Sequence, residues 1–174
     1  MEKSEKIMNA DQEGRFLIDI NQNIGIVHRV CNSYFMYDKE DREDVFQEVM
    51  YQLWRSYPNF HGDSKFSTWM YKVALNVAIT HVKKSIRISG NEKLTEKYEQ
   101  IAESNEQIHS EERMNHLYAA INTLSDVDKA IILLHLEENS YDEIASITGL
   151  TKTNVSVRLV RMKRALEEKL KNTI

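Results

Sequence analysis

The sequence predicts an all-α protein of two small helical domains joined by a flexible linker. Its 174 residues include only 5 glycines and 1 proline, whereas an all-β chain needs turn residues every ~8–12 positions. Apolar side chains instead recur every three or four residues, which is the period of an amphipathic helix. A polar, acidic stretch at residues 89–112 interrupts this pattern and divides the chain in two.

The N-terminal domain is predicted to hold three helices within residues 15–88, after a tail at 1–14. In the first helix, apolar residues step by three or four along one face: Leu17, Ile20, Ile24, Val27, Cys31 and Tyr34. In the second, apolar pairs repeat from Val45 to Tyr57, and Pro58 ends the helix because proline cannot continue it.

The third helix of this domain is predicted from about Phe66 to Arg87 and has two different faces. The apolar face consists of Phe66, Trp69, Met70, Val73, Val77 and Ile86. The polar, basic face consists of Lys72, Asn76, Thr80, Lys83, Lys84 and Arg87. Residues 89–112 contain few large apolar groups, so they cannot offset the chain entropy lost on folding, and we interpret them as the linker.

The C-terminal domain, residues 113–174, is predicted to end in a helix-turn-helix. Ser125 is placed to cap a helix, and Ser140 with Glu143 matches the capping box that begins the next one. Gly149 suits a left-handed turn, after which Thr151 caps a last helix. The buried positions of that helix are predicted to be Val155, Leu159, Met162 and Leu166. A short helix, a glycine turn and a longer basic helix make up this motif.

The last helix is a candidate for binding duplex DNA, since residues 151–166 carry five basic residues and no acidic one. At about 100° per residue, several side chains lie opposite the buried face or beside it: Lys152, Thr153, Asn154, Ser156, Val157, Val160, Arg161 and Arg164. Such a helix fits the major groove, where polar side chains reach base edges and valine contacts thymine methyl groups.

A second candidate surface covers residues 59–87, where aromatic residues stand beside the basic face of the third helix. Aromatic rings stack unpaired bases, and a cationic groove follows the backbone of a single strand. Phe66 and Trp69 fall at core spacing and are better explained by packing. The exposed candidates are Phe60, His61, Asp63, Ser64, Lys65, Lys72 and Asn76.

A third candidate surface is the acidic face of the second helix, which carries Asp41, Glu43, Asp44, Gln47 and Glu48. An acidic face suits docking against a basic protein surface, and it is also what a simple solvated helix shows. Phosphate-binding glycine loops, zinc-protease motifs and nucleophile elbows are absent from the sequence, and its histidines are scattered. We therefore expect no enzymatic activity, no cofactor, no metal and no small-molecule substrate.

Three stretches together resemble a known family. Two stretches of the N-terminal domain each resemble a stretch of bacterial RNA polymerase sigma factors. The first is Asp44-Val45-Phe46-Gln47-Glu48-Val49-Met50 with Leu53-Trp54, and the second is Phe66-Ser67-Thr68-Trp69-Met70-Tyr71-Lys72-Val73-Ala74 with Asn76. The third stretch resembles the helix-turn-helix of the same family and comprises Tyr141-Asp142-Glu143-Ile144-Ala145, Gly149-Leu150 and Val155-x-x-Arg158-Leu159-x-Arg161. The length and the two-domain organisation are similar to those of its extracytoplasmic-function group.

This resemblance implies roles for the three surfaces. Residues 15–88 would be sigma region 2, in which Asp44, Gln47 and Glu48 dock on core RNA polymerase. The Phe60–Phe66 loop, including His61, Asp63, Ser64 and Lys65, would with Lys72 and Asn76 bind the melted minus-ten element of promoter DNA. Residues 113–174 would be sigma region 4, which reads the minus-thirty-five element with Lys152, Asn154, Ser156, Val157, Val160 and Arg161. An anti-sigma factor is a further partner that the family implies.

Two other interpretations stay open on the sequence. A conventional helix-turn-helix regulator with an N-terminal sensor or dimerisation domain would explain residues 113–174, but not the Gln47 and Glu48 face. A metal-dependent enzyme would use Asp41, Asp44 and Glu48. The single cysteine, Cys31, and the lack of a long apolar segment predict a cytoplasmic protein.

Overall fold

The computed structural model describes residues 8–89 and 109–171. Within these ranges the chain forms eight α-helices and one 3₁₀-helix and contains no β-strand, so the predicted all-α class is confirmed. The chain divides into two compact units, residues 1–81 and 82–174. Most of the predicted linker, residues 90–108, lies outside the described residues.

The first unit contains α1 (Ala10–Asn23), α2 (Gly25–Tyr34), α3 (Lys39–Ser56), a 3₁₀-helix (Tyr57–Asn59) and the greater part of α4 (Phe66–Ser89). The most extensive helix contacts in this unit join α2 to α3. The second helix of the sequence analysis is confirmed as α3, which ends at the residue before Tyr57 and Pro58.

The first predicted helix is wrong in one respect, because two helices stand where one was expected. The chain turns at Ile24, between α1 and α2, where Gly25 follows as a poor helix former. α1 begins at Ala10, capped by Asn9, so residues 10–14 of the expected tail are helical. The buried face of α1 passes through Phe16, while Leu17 is 55% exposed.

The buried face of α4 also differs from the prediction. It is formed by small and large residues together: Met70, Tyr71, Ala74, Leu75 and Ala78. Val73 and Val77 are half-buried. The predicted face contained only large side chains, whereas two alanines, Ala74 and Ala78, are fully buried in this helix. The polar, basic face of α4 is exposed, as predicted.

The second unit contains α5 (His109–Asn122), α6 (Asp126–Leu136), α7 (Tyr141–Thr148) and α8 (Lys152–Lys171). α5 begins four residues before the expected boundary at 113. The caps are confirmed: Ser125 accepts from the Asp128 backbone, and Ser140 and Glu143 form a capping box. Gly149 has φ 74°, the left-handed value that favours glycine.

The helix-turn-helix core of the second unit is confirmed. All four predicted α8 residues are buried, namely Val155, Leu159, Met162 and Leu166. They pack in a domain in which α8 contacts α5, α6 and α7. Each buried aliphatic side chain contributes about 1.5–3 kcal/mol. One face of α8 is therefore fixed by the core, and this leaves the opposite face for solvent.

The second unit also buries a lysine. Lys129 on α6 is only 4% exposed, and its Nζ donates to Asn122 Oδ1 at 2.7 Å. Burial lowers the pKa of Lys129 from 10.5 to about 8, against the opposing effect of the Asp126 carboxylate. Since the unfolded chain binds a proton more tightly there, the charged amine opposes folding below about pH 8.

We expect the free energy of unfolding of the second unit to rise between about pH 8 and 10.5, where only the unfolded state keeps this proton. Lys129→Met should remove that rise and stabilise the unit at pH 7 by about 1–2 kcal/mol. Urea unfolding followed by circular dichroism at several pH values measures this. Fluorescence of Trp54 and Trp69 reports the first unit separately. Parallel pH profiles for wild type and variant would contradict the prediction.

Candidate nucleic-acid and polymerase interfaces

The outward face of α8 is exposed and carries both apolar and basic side chains. Val157 is 44% exposed and Val160 49%, although both are aliphatic. Arg161 and Arg164 are exposed on the same face. Ser156, predicted to face DNA, is half-buried at the edge of this face. A helix whose opposite side is locked in the core can present this face to a major groove without changing its own structure.

Two of the predicted DNA-binding residues on α8 have partners within the protein. Lys152 Nζ lies 2.7 Å from Asp142 Oδ2, and both side chains are more than half exposed. An exposed ion pair of this kind is weak, so Lys152 can exchange Asp142 for a phosphate. Asn154 Oδ1 accepts from Arg158 Nε at 2.9 Å.

Arg158, which was not among the predicted DNA-binding residues, holds α8 against α6. Its Nη1 donates to Asp128 Oδ1 at 2.7 Å, and both side chains are partly buried. Arg158 lies on the flank of α8 between the core and the outward face. Arg158 entered the prediction only through the basic run and the helix-turn-helix resemblance, because nothing in the local pattern shows that Asp128, thirty residues earlier, is its partner.

In the first unit, the loop between the 3₁₀-helix and α4 presents small polar groups to solvent. His61, Asp63, Ser64 and Lys65 are all exposed, as the sequence analysis expected. Gly62 has φ 79°, so the loop turns there in a conformation that other residues rarely adopt. On α4, Lys72 and Asn76 are one helical turn apart and both exposed.

Phe60 requires a correction, because it is half-buried and does not stand free as a stacking platform. It belongs to a set of packed rings that we call the aromatic cluster: Phe16, Trp54, Tyr57, Phe60, Phe66 and Trp69. The Phe60 centroid lies 5.0 Å from Trp69 and 5.7 Å from Phe66. Such contacts stabilise aromatic pairs beyond their burial. The predicted packing role of Phe66 and Trp69 agrees with this geometry.

Tyr57 joins the aromatic cluster to α1. Its ring is 5.0 Å from that of Phe16, and its hydroxyl donates to Asp19 Oδ2 at 3.0 Å. Burial raises the pKa of Tyr57, and the hydrogen bond to Asp19 raises it further. The cluster thus connects α1, the end of α3 and the start of α4, and it supports the loop that carries the exposed polar residues.

The outward face of α3 is acidic and exposed. Asp44, Gln47 and Glu48 all face solvent, as predicted. Glu48 Oε1 accepts from Gln52 Nε2 at 2.7 Å. Tyr51, one turn beyond Gln47, is 53% exposed on the same face. Tyr51 was not among the predicted docking residues, although its spacing of four from Gln47 places it on this face.

Other carboxylates of α3 have partners inside the unit. Asp41 Oδ1 lies 3.1 Å from His81 Nε2 on α4, and Glu43 pairs with Lys39 at 3.8 Å. In the ranges that the structure describes, no three His, Cys, Asp or Glu side chains are grouped to hold a metal ion. Asp41, Asp44 and Glu48 therefore do not form the metal centre of the alternative interpretation.

A shallow groove of about 240 Å³ lies beside the acidic face, between α2 and α3. His28 stacks on Phe46 along it, with ring centroids 4.7 Å apart. Cys31 lines its floor, and burial raises the pKa of this thiol to about 11, against the opposing charge of Arg42. Cys31 is thus a neutral thiol in the core and not a reactive one.

Two family profiles match the chain, one on each predicted domain. Residues 20–88 match Sigma-70 region 2, and residues 115–166 match Sigma-70 region 4. The RNA polymerase sigma-H factor of Pseudomonas aeruginosa is 28% identical to this chain, over 95% of the chain and 91% of that protein. The ECF RNA polymerase sigma-E factor of Escherichia coli is 28% identical, over 98% and 93%.

Solved structures show the same fold. Sigma factor RpoE from Bartonella quintana, crystallised with the anti-sigma factor NepR, superposes with a TM-score of 0.63 at 19% identity, covering 87% of this chain and 95% of its own. CnrH, solved with the cytosolic domain of CnrY, gives a TM-score of 0.66 at 15% identity, covering 92% and 90%.

The matched regions together span more than half of the chain. The chain belongs to the sigma-70 family, in the extracytoplasmic-function group of RNA polymerase sigma factors. It initiates transcription at promoters, and its partners are core RNA polymerase and promoter DNA. This function replaces the conventional regulator considered above. None of the described helices has the length and apolarity needed to span a bilayer.

We expect Phe60→Ala to lower the free energy of unfolding of the first unit by about 2 kcal/mol, because the ring is packed in the aromatic cluster. Fluorescence-detected denaturation measures this, since both tryptophans of the chain lie in the first unit. His61→Ala, an exposed change in the same loop, is the control and should change stability by less than about 0.5 kcal/mol. Equal stabilities for the Phe60 variant and wild type would refute the packing role.

Proposed function

We propose that the two units divide promoter recognition between them. The outward face of α8 reads the duplex minus-thirty-five element, and the loop and basic face of α4 hold the melted minus-ten element. The acidic face of α3 docks on core polymerase. The observation that carries the proposal is the exposed Val157, Val160 and Arg161 on a helix whose other face is buried.

Reading of the minus-thirty-five element rests on the chemistry of α8. Arg161 can donate two hydrogen bonds to guanine, and the exposed valines can contact thymine methyl groups. Lys152 and the other cations of this acid-free helix would neutralise phosphates, which gives affinity that falls with salt but little sequence preference. Asn154 and Ser156 lie at the two edges of the reading face, one exposed and one half-buried.

Binding of the minus-ten element rests on exposed groups of the first unit. Lys72, Lys83, Lys84 and Arg87 are exposed along α4 and can follow a single-stranded backbone. Asn76 and the loop residues His61, Asp63, Ser64 and Lys65 can form hydrogen bonds to a base that has left the stack. Phe60 and the aromatic cluster would support the loop and contact the base only with exposed ring edges.

Docking on core polymerase rests on the charge of α3. Asp44 and Glu48 lie one turn apart with Gln47 beside them, and a basic partner surface would complement them. The three surfaces described above are all suited to binding, and we propose that the protein is a binding factor and not itself an enzyme. We also propose that it acts in the cytoplasm, where core polymerase and promoter DNA would meet it. We further propose an anti-sigma factor as a partner, as in the solved complexes with NepR and CnrY.

We expect Glu48→Lys to weaken binding to core RNA polymerase by about tenfold or more, because it reverses a charge on the docking face. Glu13→Lys makes the same charge change on an exposed position of α1 and should leave the affinity unchanged. Competition between labelled and unlabelled protein for core polymerase gives both affinities. The docking assignment is wrong if the two variants bind alike.

We expect Arg161→Ala to relax base preference at one position of the minus-thirty-five element, at a cost of about 1–3 kcal/mol for the preferred sequence. Lys163→Ala removes the same charge from the flank of α8 and should weaken binding to all promoters evenly. Holoenzyme binding to promoter variants distinguishes the two. A uniform loss in both variants would contradict reading by Arg161.

A further inference from the structure

Two exposed valines lie near the middle of the outward face of α8. Val157 is 44% exposed and Val160 is 49% exposed, whereas Val155 and Leu159 on the same helix are at most 1% exposed. Residues three apart on a helix are neighbours, so the two exposed valines form one small apolar surface. We call Val157 and Val160 the valine pair.

Neither core packing nor helix formation favours valine at these two positions. The core of the second unit is built from the opposite face of α8, and valine forms helices less readily than alanine or the long polar residues. The branched Cβ also restricts each valine to one main rotamer in a helix. The valine pair is therefore a stiff apolar surface exposed to water, and its burial against an apolar partner group would be favourable.

The surroundings of the valine pair are basic. Arg161 lies four residues beyond Val157, and Arg164 lies four beyond Val160, so each valine has an exposed cation one turn away. Residues 151–166 contain five basic residues and no acidic one. A partner that fits this surface is apolar where it contacts the valines and negatively charged around that point. The major groove of duplex DNA has this pattern wherever a thymine methyl group lies between the phosphate backbones.

Thymine is the base whose major-groove edge carries an apolar group, its C5-methyl. Adenine and guanine present ring-nitrogen, amino or carbonyl groups there, and cytosine presents an amino group and has only hydrogen on C5. Valine forms no side-chain hydrogen bond, so its contact with those polar groups would displace water without replacing the lost hydrogen bonds. Contact with a thymine methyl group instead removes apolar surface from water on both sides. The valine pair therefore favours thymine.

We propose that the valine pair is a methyl-reading site, in which Val157 and Val160 select thymines in the minus-thirty-five element by contact with their C5-methyl groups. The inference rests on the proposed reading of that element by α8, and it adds the base that the two valines select and the chemical group that they recognise. Because the recognised group is the methyl, a base with the hydrogen-bonding groups of thymine but no methyl should bind more weakly.

The first part of the test is selection of promoters by the holoenzyme, the full chain bound to core polymerase, from a pool randomised across the minus-thirty-five element. Sequencing of the bound DNA gives base frequencies at every position. Val157→Ala and Val160→Ala shorten the side chains without adding a polar group, so the positions whose preference weakens are those that the valine pair reads. Wild type should favour thymine there. A preference for another base, or unchanged preferences in both variants, overturns the proposal.

The second part replaces thymine by deoxyuridine at those positions, which removes the methyl group and keeps every hydrogen-bonding group of the base. Wild-type holoenzyme should bind the uracil promoter about fourfold more weakly, which is the effect of one buried methyl group. Each alanine variant should lose most of this penalty at the position that its own residue reads. Equal binding of the thymine and uracil promoters by wild type overturns the proposal, as does an undiminished penalty in the variants.

Val127→Ala is the matched control, because Val127 is an exposed valine of the same unit that lies on α6, outside the proposed reading face. This variant should keep the full penalty for uracil. Loss of the penalty in the control would show that the methyl effect does not belong to the valine pair, and the proposal would fail.

Arg161→Ala separates failure of this inference from failure of the proposed function. If Arg161→Ala changes the base preference at one position while uracil is tolerated at every position, only the present inference fails. If none of the α8 variants changes any position, α8 does not read the minus-thirty-five element.

Discussion

Burial of one face of α8 is the constraint on which the second unit depends. Val155, Leu159 and Met162 are at most 4% exposed, and α5, α6 and α7 all pack against this helix. A helix has a single rotational setting in which all of these side chains are inside. The same setting puts Val157, Val160 and Arg161 outside. The apolar core therefore fixes which side chains meet DNA, although none of the core residues touches it.

In the first unit, too, the packed core determines which side chains face solvent, but the packing is different. Ala74 and Ala78 are fully buried at the centre of α4, and the aromatic cluster fills the end of the unit where the loop emerges. Large rings therefore gather beside the loop, while buried alanines occupy the middle of α4. The aromatic cluster supports the loop, which contributes few apolar contacts itself, so the polar residues of the loop stay exposed to solvent.

Some of this organisation can be predicted from sequence, and some cannot. Capping signals are local, since the Ser140 and Glu143 side chains meet backbone groups three residues away. The buried face of α8 likewise follows from helical periodicity alone. Phe60 was misjudged because its partners Trp69 and Phe66 lie across a turn, and exposure of a ring depends on what the chain brings against it. The role of Arg158 was not predicted either, because its partner Asp128 lies thirty residues earlier in the chain.

The break between α1 and α2 shows a second limit of pattern reasoning. Leu17, Ile20, Ile24 and Val27 keep helical spacing through the break, yet α1 buries Phe16 and leaves Leu17 exposed. Phe16 and Leu17 both lie at helical spacing from Ile20, so periodicity alone does not decide which of the two faces the core. Gly25 was the available signal, because glycine costs a helix interior about 1 kcal/mol.

The polar contacts of the second unit differ in strength in a way that suits a DNA-binding surface. Lys152 and Asp142 are more than half exposed, so their ion pair is easily exchanged for a phosphate. Arg158 and Asp128 are less exposed, and Asp128 also bonds Ser125 at the α6 cap, so their contact is held more firmly than the exposed pair. The exchangeable pair carries a cation that any DNA sequence can attract. The fixed pair joins α8 to α6 and helps to hold α8 in the setting that presents its outward face.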